Sequence, residues 1–311
     1  ERGYTEHEIV AVGLPRAHFA VETLLIDSLD AIDADATVGR LIRLRGALAA
    51  ARRDWRPDFA FLLVDGLSLR EDELVSVVAA GLGDTPLFGG SAGDGVAFDE
   101  TMIALDGAIY TNAAVVVLAR TRCPVKVFSL DHLTPTDRRM VVTKADSTRR
   151  IVSELNAEPA AREYARILGK DPNRLSPFTF AAHPLVVRVG AEHHVRAIQR
   201  VTEDDELVFF SAIDEGLVLT VSEPSDLAQN LEKSLSALNQ GGRPDAILAC
   251  DCILRRLEAE QKQMTRRVSS ILAAHRAVGF STYGEQFRAM HVNHTMTGVA
   301  FYRPEASKLR V

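Results

Sequence analysis

The stretch PDFAFLLVDGLSLREDELVSVVAAGLGDTPLFGGSAGD runs from Pro57 to Asp94, and its order returns at 244–285 as PDAILACDCILRRLEAEQKQMTRRVSSILAAHRAVGFSTYGE. Both copies start with Pro-Asp and continue as an apolar run ended by an acid. A long helical stretch, a short apolar run, Gly-x-Ser, and a glycine followed by an acid come next. An apolar run of that length before Asp-Gly reads as a buried strand. LREDELVSVVAAGLGD reads as a helix closed by glycine, and TPLFGG as a second strand. Downstream, YTNAAVVVLA (110–119) and HVNHTMTGVAFY (291–302) each read as a further buried strand, with Asn112 and Asn293 in equivalent places.

The remaining segments extend this plan. Residues 36–55 have the pattern of an amphipathic helix, and MIALDGAIY that of a hairpin around Asp106-Gly107. The stretch TKADSTRRIVSELNAEPAAREYARILG is expected to hold one or two helices, capped by Asp146 or Ser147. Residues 181–216 alternate between turn signals and read as an antiparallel meander. Residues 224–240 are expected to be helical. The fold class expected is α/β (mixed α+β): two pseudo-symmetric, duplicated α/β lobes with mixed sheets and a connecting antiparallel meander. The expected domains are 1–180 and 181–311.

Composition removes several functions. A net charge of −6 in 311 residues argues against a general nucleic-acid binder, which needs a basic face. Cys123, Cys250 and Cys252 form neither a disulfide framework nor a complete zinc set. No apolar run approaches the roughly 18 residues of a membrane span, and ERGYTEHEIV does not read as a targeting segment. A cytoplasmic location away from the membrane is therefore expected.

The duplicated bends are the first candidate site. If equivalent turns face one cleft, Gly90, Ser91, Ala92, Gly93 and Asp94 would meet Ser281, Tyr283, Gly284 and Glu285 across it. Open turn amides could take a carboxylate, and Asp94 or Glu285 an amine. The alternative is that the glycines serve only tight backbone turns. GGSAG also matches the Gly-x-Ser-x-Gly nucleophile elbow, but a hairpin rather than a helix follows it. An enzyme is not expected. Arg255, just after Asp251 and Cys252, could turn back to the cleft and pair a carboxylate.

Strand parity sorts the histidines. If 291–302 is one strand, His291, Asn293, Thr295 and Thr297 share a face, while His294 and Met296 share the apolar one. Either His294 is a core residue with one satisfied hydrogen bond, or it is an axial ligand for haem iron, with Gly298 and Ala300 leaving room. His291 is the second candidate ligand.

LFGGSAGD resembles the N-terminal FIST domain. DCILRR, GFSTYGEQF and HVNHTMTGVAF, preceded by IQRVTEDDELVFFSAIDEGLVL, resemble its C-terminal partner. The resemblance spans about residues 35–303 and implies a bacterial, intracellular sensory module for a small ligand, with amino acids or their derivatives as the general class. In the nitric-oxide-sensing NosP branch it implies b-type haem; the resemblance does not fix the iron ligand, and the choice of His294 as the metal (haem iron) ligand rests on strand parity. It also implies a histidine kinase or cyclic-di-GMP enzyme acting in trans. The association state stays open, with a homo-oligomer among the options.

Overall fold

The computed structural model describes residues 3–6, 8–56, 58–190 and 192–304. Pro57, the first residue of the first copy, lies outside them. The first lobe runs β1 (Phe19–Ile26), α1 (Ala34–Ala51), β2 (Asp58–Asp65), α2 (Glu71–Leu82), β3 (Leu87–Ala92), β4 (Ile103–Leu105), β5 (Ala108–Tyr110) and β6 (Ala114–Thr121). Asp33 caps α1 by accepting from the Ala36 amide at 2.9 Å. Three acids, Glu71, Asp72 and Glu73, sit at the positive end of α2.

After β7 (Val125–Leu130) comes a middle unit. It comprises β8 (Leu133–Asp146), β9 (Ile151–Leu155), β10 (Glu158–Pro159), α3 (Ala160–Leu168), α4 (Pro177–Ala182), β11 (Leu185–Val189), β12 (Glu192–Arg196), β13 (Ile198–Val201), β14 (Leu207–Phe209) and β15 (Val218–Pro224). The second lobe then follows with α5 (Leu227–Ala237), β16 (Ala246–Cys252), α6 (Ile253–Gln261), α7 (Thr265–Ala274), β17 (Ala277–Thr282), β18 (Glu285–Phe287), β19 (Met290–Val292) and β20 (Met296–Phe301).

The lobes share one plan. In the first sheet the order is β1-β6-β2-β3, and in the second it is β7-β20-β16-β17. In each, the β2–β3 or β16–β17 pair is parallel and the other two pairs are antiparallel. The hairpin after β17 does not stay in its own sheet. β18 pairs antiparallel with β3, setting Glu285 opposite Gly90 and Phe287 opposite Phe88, and β19 completes a six-stranded sheet. The middle unit folds as an eight-stranded sheet in which every pairing is antiparallel.

Alternation along β2 builds the layers. Ala60, Leu62 and Val64 pack under α1 and α2, while Phe59 and Phe61 face the other sheet. In β16, Ile247 and Ala249 pack under α5 and α7, and Leu248 faces the first sheet. The result is helix, sheet, sheet, helix. Phe61 stacks on Phe88 at 4.9 Å and meets Phe280 edge-on at 6.4 Å, and Phe19 meets Phe301 edge-on at 5.7 Å. Such aromatic pairs add about 0.5–1.5 kcal/mol beyond their buried area.

Three local expectations are corrected. Residues 147–155, expected to be helical, form the turn and second strand of the β8–β9 hairpin. Val152 and Leu155 enter the middle core there, and Asp146 accepts from the Arg149 amide in the turn. The long helix of the second copy is two helices, α6 and α7, separated at Lys262–Met264. The run 291–302 is two strands in different sheets, linked by Asn293–Thr295. Ala114 pairs with Val64 as Met296 pairs with Asp251. His294 (φ 57) therefore occupies the place of Asn112 (φ 49), not Asn293 as the sequence suggested.

Phe88 is fully buried between the sheets. Phe88→Ala should lose about 3–5 kcal/mol in urea unfolding. A loss below about 1 kcal/mol would contradict the interlocked aromatic layer.

Candidate functional site

The two glycine bends meet directly. Pairing of β18 with β3 lets the Ser91 amide donate to the Gly284 carbonyl at 2.8 Å and the Tyr283 amide to the Ser91 carbonyl at 3.0 Å. The space beside them is filled by the chain itself. A Cβ on Gly90 would lie 2.3 Å from Thr282 Cγ2, and one on Gly93 2.7 Å from the Tyr283 ring. A Cβ on Gly284 would lie 2.4 Å from His291 Cε1. The glycines admit these side chains at contact distance.

Asp94 is committed to its own loop. It accepts amides from Phe98, Asp99 and Glu100 at 2.9, 2.8 and 3.0 Å and bonds the Tyr283 hydroxyl. Burial alone would raise its carboxyl, but the Tyr283 bond and the three amides hold it well below the usual range. Ser91 lies inside β3 rather than on a strand-to-helix turn. Its Oγ accepts from Gln286 Nε2 at 2.9 Å and reaches Glu71 Oε1 at 3.5 Å. Ala92 ends β3, and Ser281 lies opposite Asp251 in β17. Met296 belongs to the core under α5 and α7.

A buried polar cluster lies where the middle unit covers this junction. Apolar residues Val186, Val195 and Phe210 of that unit pack against Leu254 of α6 and Tyr283 of the bend. Within the cover, Arg150 Nη2 pairs with Glu71 Oε2 at 2.6 Å and lies 3.6 Å from Asp72 Oδ2. Ser211 Oγ donates to Asn293 Oδ1 at 3.3 Å. His291 is buried with Nδ1 3.4 Å from Gln286 Nε2. Burial lowers its pKa although Glu71 and Asp72 pull the other way, which favours the neutral ring. Burial also lowers the Arg196 guanidinium, against Asp72 and Asp214. Three polar atoms here, Arg196 Nε, His291 Nε2 and Gln286 Oε1, have no hydrogen-bond partner among the described residues. A buried unmet donor or acceptor costs about 1–3 kcal/mol, which a bound polar group recovers.

A second cluster lies on the α6 side. Glu258 Oε2 meets His132 Nε2 at 2.8 Å and His294 Nε2 at 3.1 Å, all three side chains being fully buried. Arg255 Nε donates to Asp251 Oδ1 at 2.7 Å, its Nη1 lies 3.1 Å from His132 Nδ1, and the Tyr4 hydroxyl bonds Asp251. Burial would raise the Glu258 carboxyl, but bonds from His132 and His294 outweigh it and hold the group well below the ordinary range.

This packing does not fit haem. A Cβ on Gly298 would lie 2.5 Å from the Leu248 carbonyl and 2.8 Å from Phe128 Cζ, so the expected room is taken. The His132 ring stands 5.5 Å from that of His294. At His291 the charged neighbours are Glu71, Asp72, Arg150 and Arg196, the reverse of an apolar slot.

Sequence reasoning missed Glu71, Asp72, Arg150, Gln286, Ser211, His132 and Glu258, and left Arg196 without an assigned role. Of these, only Glu71 and Asp72 carried a local signal, as acids opening a helix directly after a strand. Arg150 sits at φ 57 in the β8–β9 turn, a segment whose sequence reads as helix.

Residues 1–158 match the model of the FIST N domain and residues 160–288 that of the FIST C domain. The comparisons with curated proteins and with solved structures return no match. Among the described residues no helix is long and apolar enough to cross a membrane.

Glu285 gives a pH signature. Burial, reinforced by Asp251, pushes its carboxyl up to about 8, against hydrogen bonds from Thr282 and Thr295. A carboxyl held above its unfolded value adds stability below that value, near 4.5, and loses it as pH rises toward about 8. Urea midpoints should therefore fall between these pH values, and Glu285→Gln should flatten the fall. An unchanged slope in the variant would contradict this assignment.

Proposed function

We propose that this chain, which belongs to the FIST family of sensory domains that bind small ligands, reads a small zwitterionic metabolite of the amino-acid class at the junction of its lobes and middle unit. Arg196 Nε, without a partner among the described residues, carries the reading. A guanidinium N–H suits a carboxylate, and the neutral His291 Nε2 can meet a second polar group of the ligand. Asp72, whose side chain is 35% exposed, offers an anion for the ammonium and an edge for entry. The Arg150–Glu71 pair holds the floor at fixed geometry.

Three units border this cluster, so a ligand there can favour one arrangement of them over another. A partner that binds the two arrangements unequally then receives the signal. The family resemblance implies a histidine kinase or a cyclic-di-GMP enzyme for that role, in the cytoplasm. Its NosP branch implies the rival reading, b-type haem with nitric oxide. The packing around His294 and His291 speaks against that reading.

Calorimetry with a panel of amino acids on the purified chain, next to its absorption spectrum, separates the two. The expected result is saturable heat with one amino-acid class, no Soret band, and binding weakened about 10–100-fold in Arg196→Gln, as for a lost hydrogen bond to a charged group. A Soret band with no amino-acid heat would replace this reading by the haem one.

A further inference from the structure

The His132–Glu258–His294 cluster is not used by the ligand reading, and it brings together donors of a different chemistry. One residue follows β7, one lies on α6, and one sits in the β19–β20 link. One ring nitrogen of each imidazole and one Glu258 carboxylate oxygen lie within 4.8 Å of one another, all buried. The two nitrogens approach the same oxygen, at 2.8 and 3.1 Å. Metal bonds of about 2.0–2.2 Å place neighbouring donors of a tetrahedron roughly 3.4 Å apart, close to these separations.

We propose that His132, Glu258 and His294 bind a divalent transition-metal ion of the Zn2+ class through Nε2, a carboxylate oxygen and Nε2. Two imidazoles and a carboxylate suit Zn2+ or Fe2+ and do not suit Mg2+ or Ca2+, which take oxygen ligands. Three protein donors leave one tetrahedral position for water or another small ligand.

The protons balance without net release. Arg255 can only donate, so His132 Nδ1 accepts from it in the metal-free protein, and the His132 proton sits on Nε2 facing Glu258. His294 Nε2 likewise donates to Glu258, which leaves its Nδ1 bare and without a partner among the described residues. On binding, the metal takes both Nε2 lone pairs and each ring carries its proton on Nδ1 instead. Arg255 Nη1 then turns from His132 while its Nε stays on Asp251. Lys262, 2.7 Å from Glu258 Oε1, partners the non-ligating oxygen.

The test uses the full chain, stripped with chelator and given Zn2+ or Co2+ alone. One Zn2+ per chain should survive dialysis, Co2+ should give visible d–d bands, and the melting temperature should rise with the ion. Glu258→Gln, which keeps shape and removes the ligating charge, should lower Zn2+ affinity at least 10-fold. If that variant fails to fold, the Co2+ bands of the native chain decide the matter. Absence of retained zinc and of Co2+ bands overturns the proposal, as does equal Zn2+ affinity in a folded Glu258→Gln chain. Amino-acid calorimetry on Glu258→Gln keeps this outcome separate from the fate of the Arg196 site.

Discussion

The pairing of β18 with β3 is the constraint on which the rest of the structure depends. Two α/β lobes could have packed through side chains alone, as most domains within a chain do. Here the hairpin after β17 leaves its own sheet and extends the neighbouring one, with Gln286 opposite Gly89. Backbone bonds between Ser91, Tyr283 and Gly284 then join the lobes. The aromatic layer of Phe19, Phe59, Phe61, Phe88 and Phe301 closes the interface behind that seam. The glycines at 90, 93 and 284 follow from the same constraint, because backbones this close leave room for Tyr283, Thr282 and His291 only where a Cβ is missing.

The seam also fixes where chemistry can sit. It crosses the carboxyl ends of the parallel strand pairs, the usual place for ligands in α/β sheets, and the middle unit covers it with an apolar rim around buried charge. Two polar clusters result, and they differ in kind. Around Arg196 and His291, polar atoms lack partners among the described residues. Around Glu258 the carboxylate is shared between two imidazoles. The first arrangement suits a guest with its own hydrogen-bonding groups, the second an ion that takes lone pairs.

Much of the fold was legible because both lobes repeat one local grammar. Apolar runs ended by an acid mark β2 and β16, and Asp106-Gly107 marks the β4–β5 hairpin. The convergence of the bends at Ser91 and Gly284 was readable from the repeat. What the repeat could not show was which sheet each strand joins. HVNHTMTGVAF looks like one strand, since nothing local marks a change of sheet at Asn293–Thr295, and the parity argument for His294 failed there. Ile151–Leu155 reads as helix in sequence because Asp146 and Ser147 look like caps, yet Asp146 caps a turn. The partners of the site residues come from far along the chain: Arg150 from the middle unit, His132 from the end of β7, Glu258 from α6. No spacing rule links them, and only the folded chain brings them together.

Amide hydrogen exchange at the seam tests the central claim most directly. If the lobes are joined by this strand pairing, the amides of Ser91, Tyr283 and Arg288, which bond across it, should exchange only through global unfolding. They should then show the same opening free energy as the β2–β6 core amides. Exchange at those three amides through a local opening several kcal/mol below the global one would contradict the account.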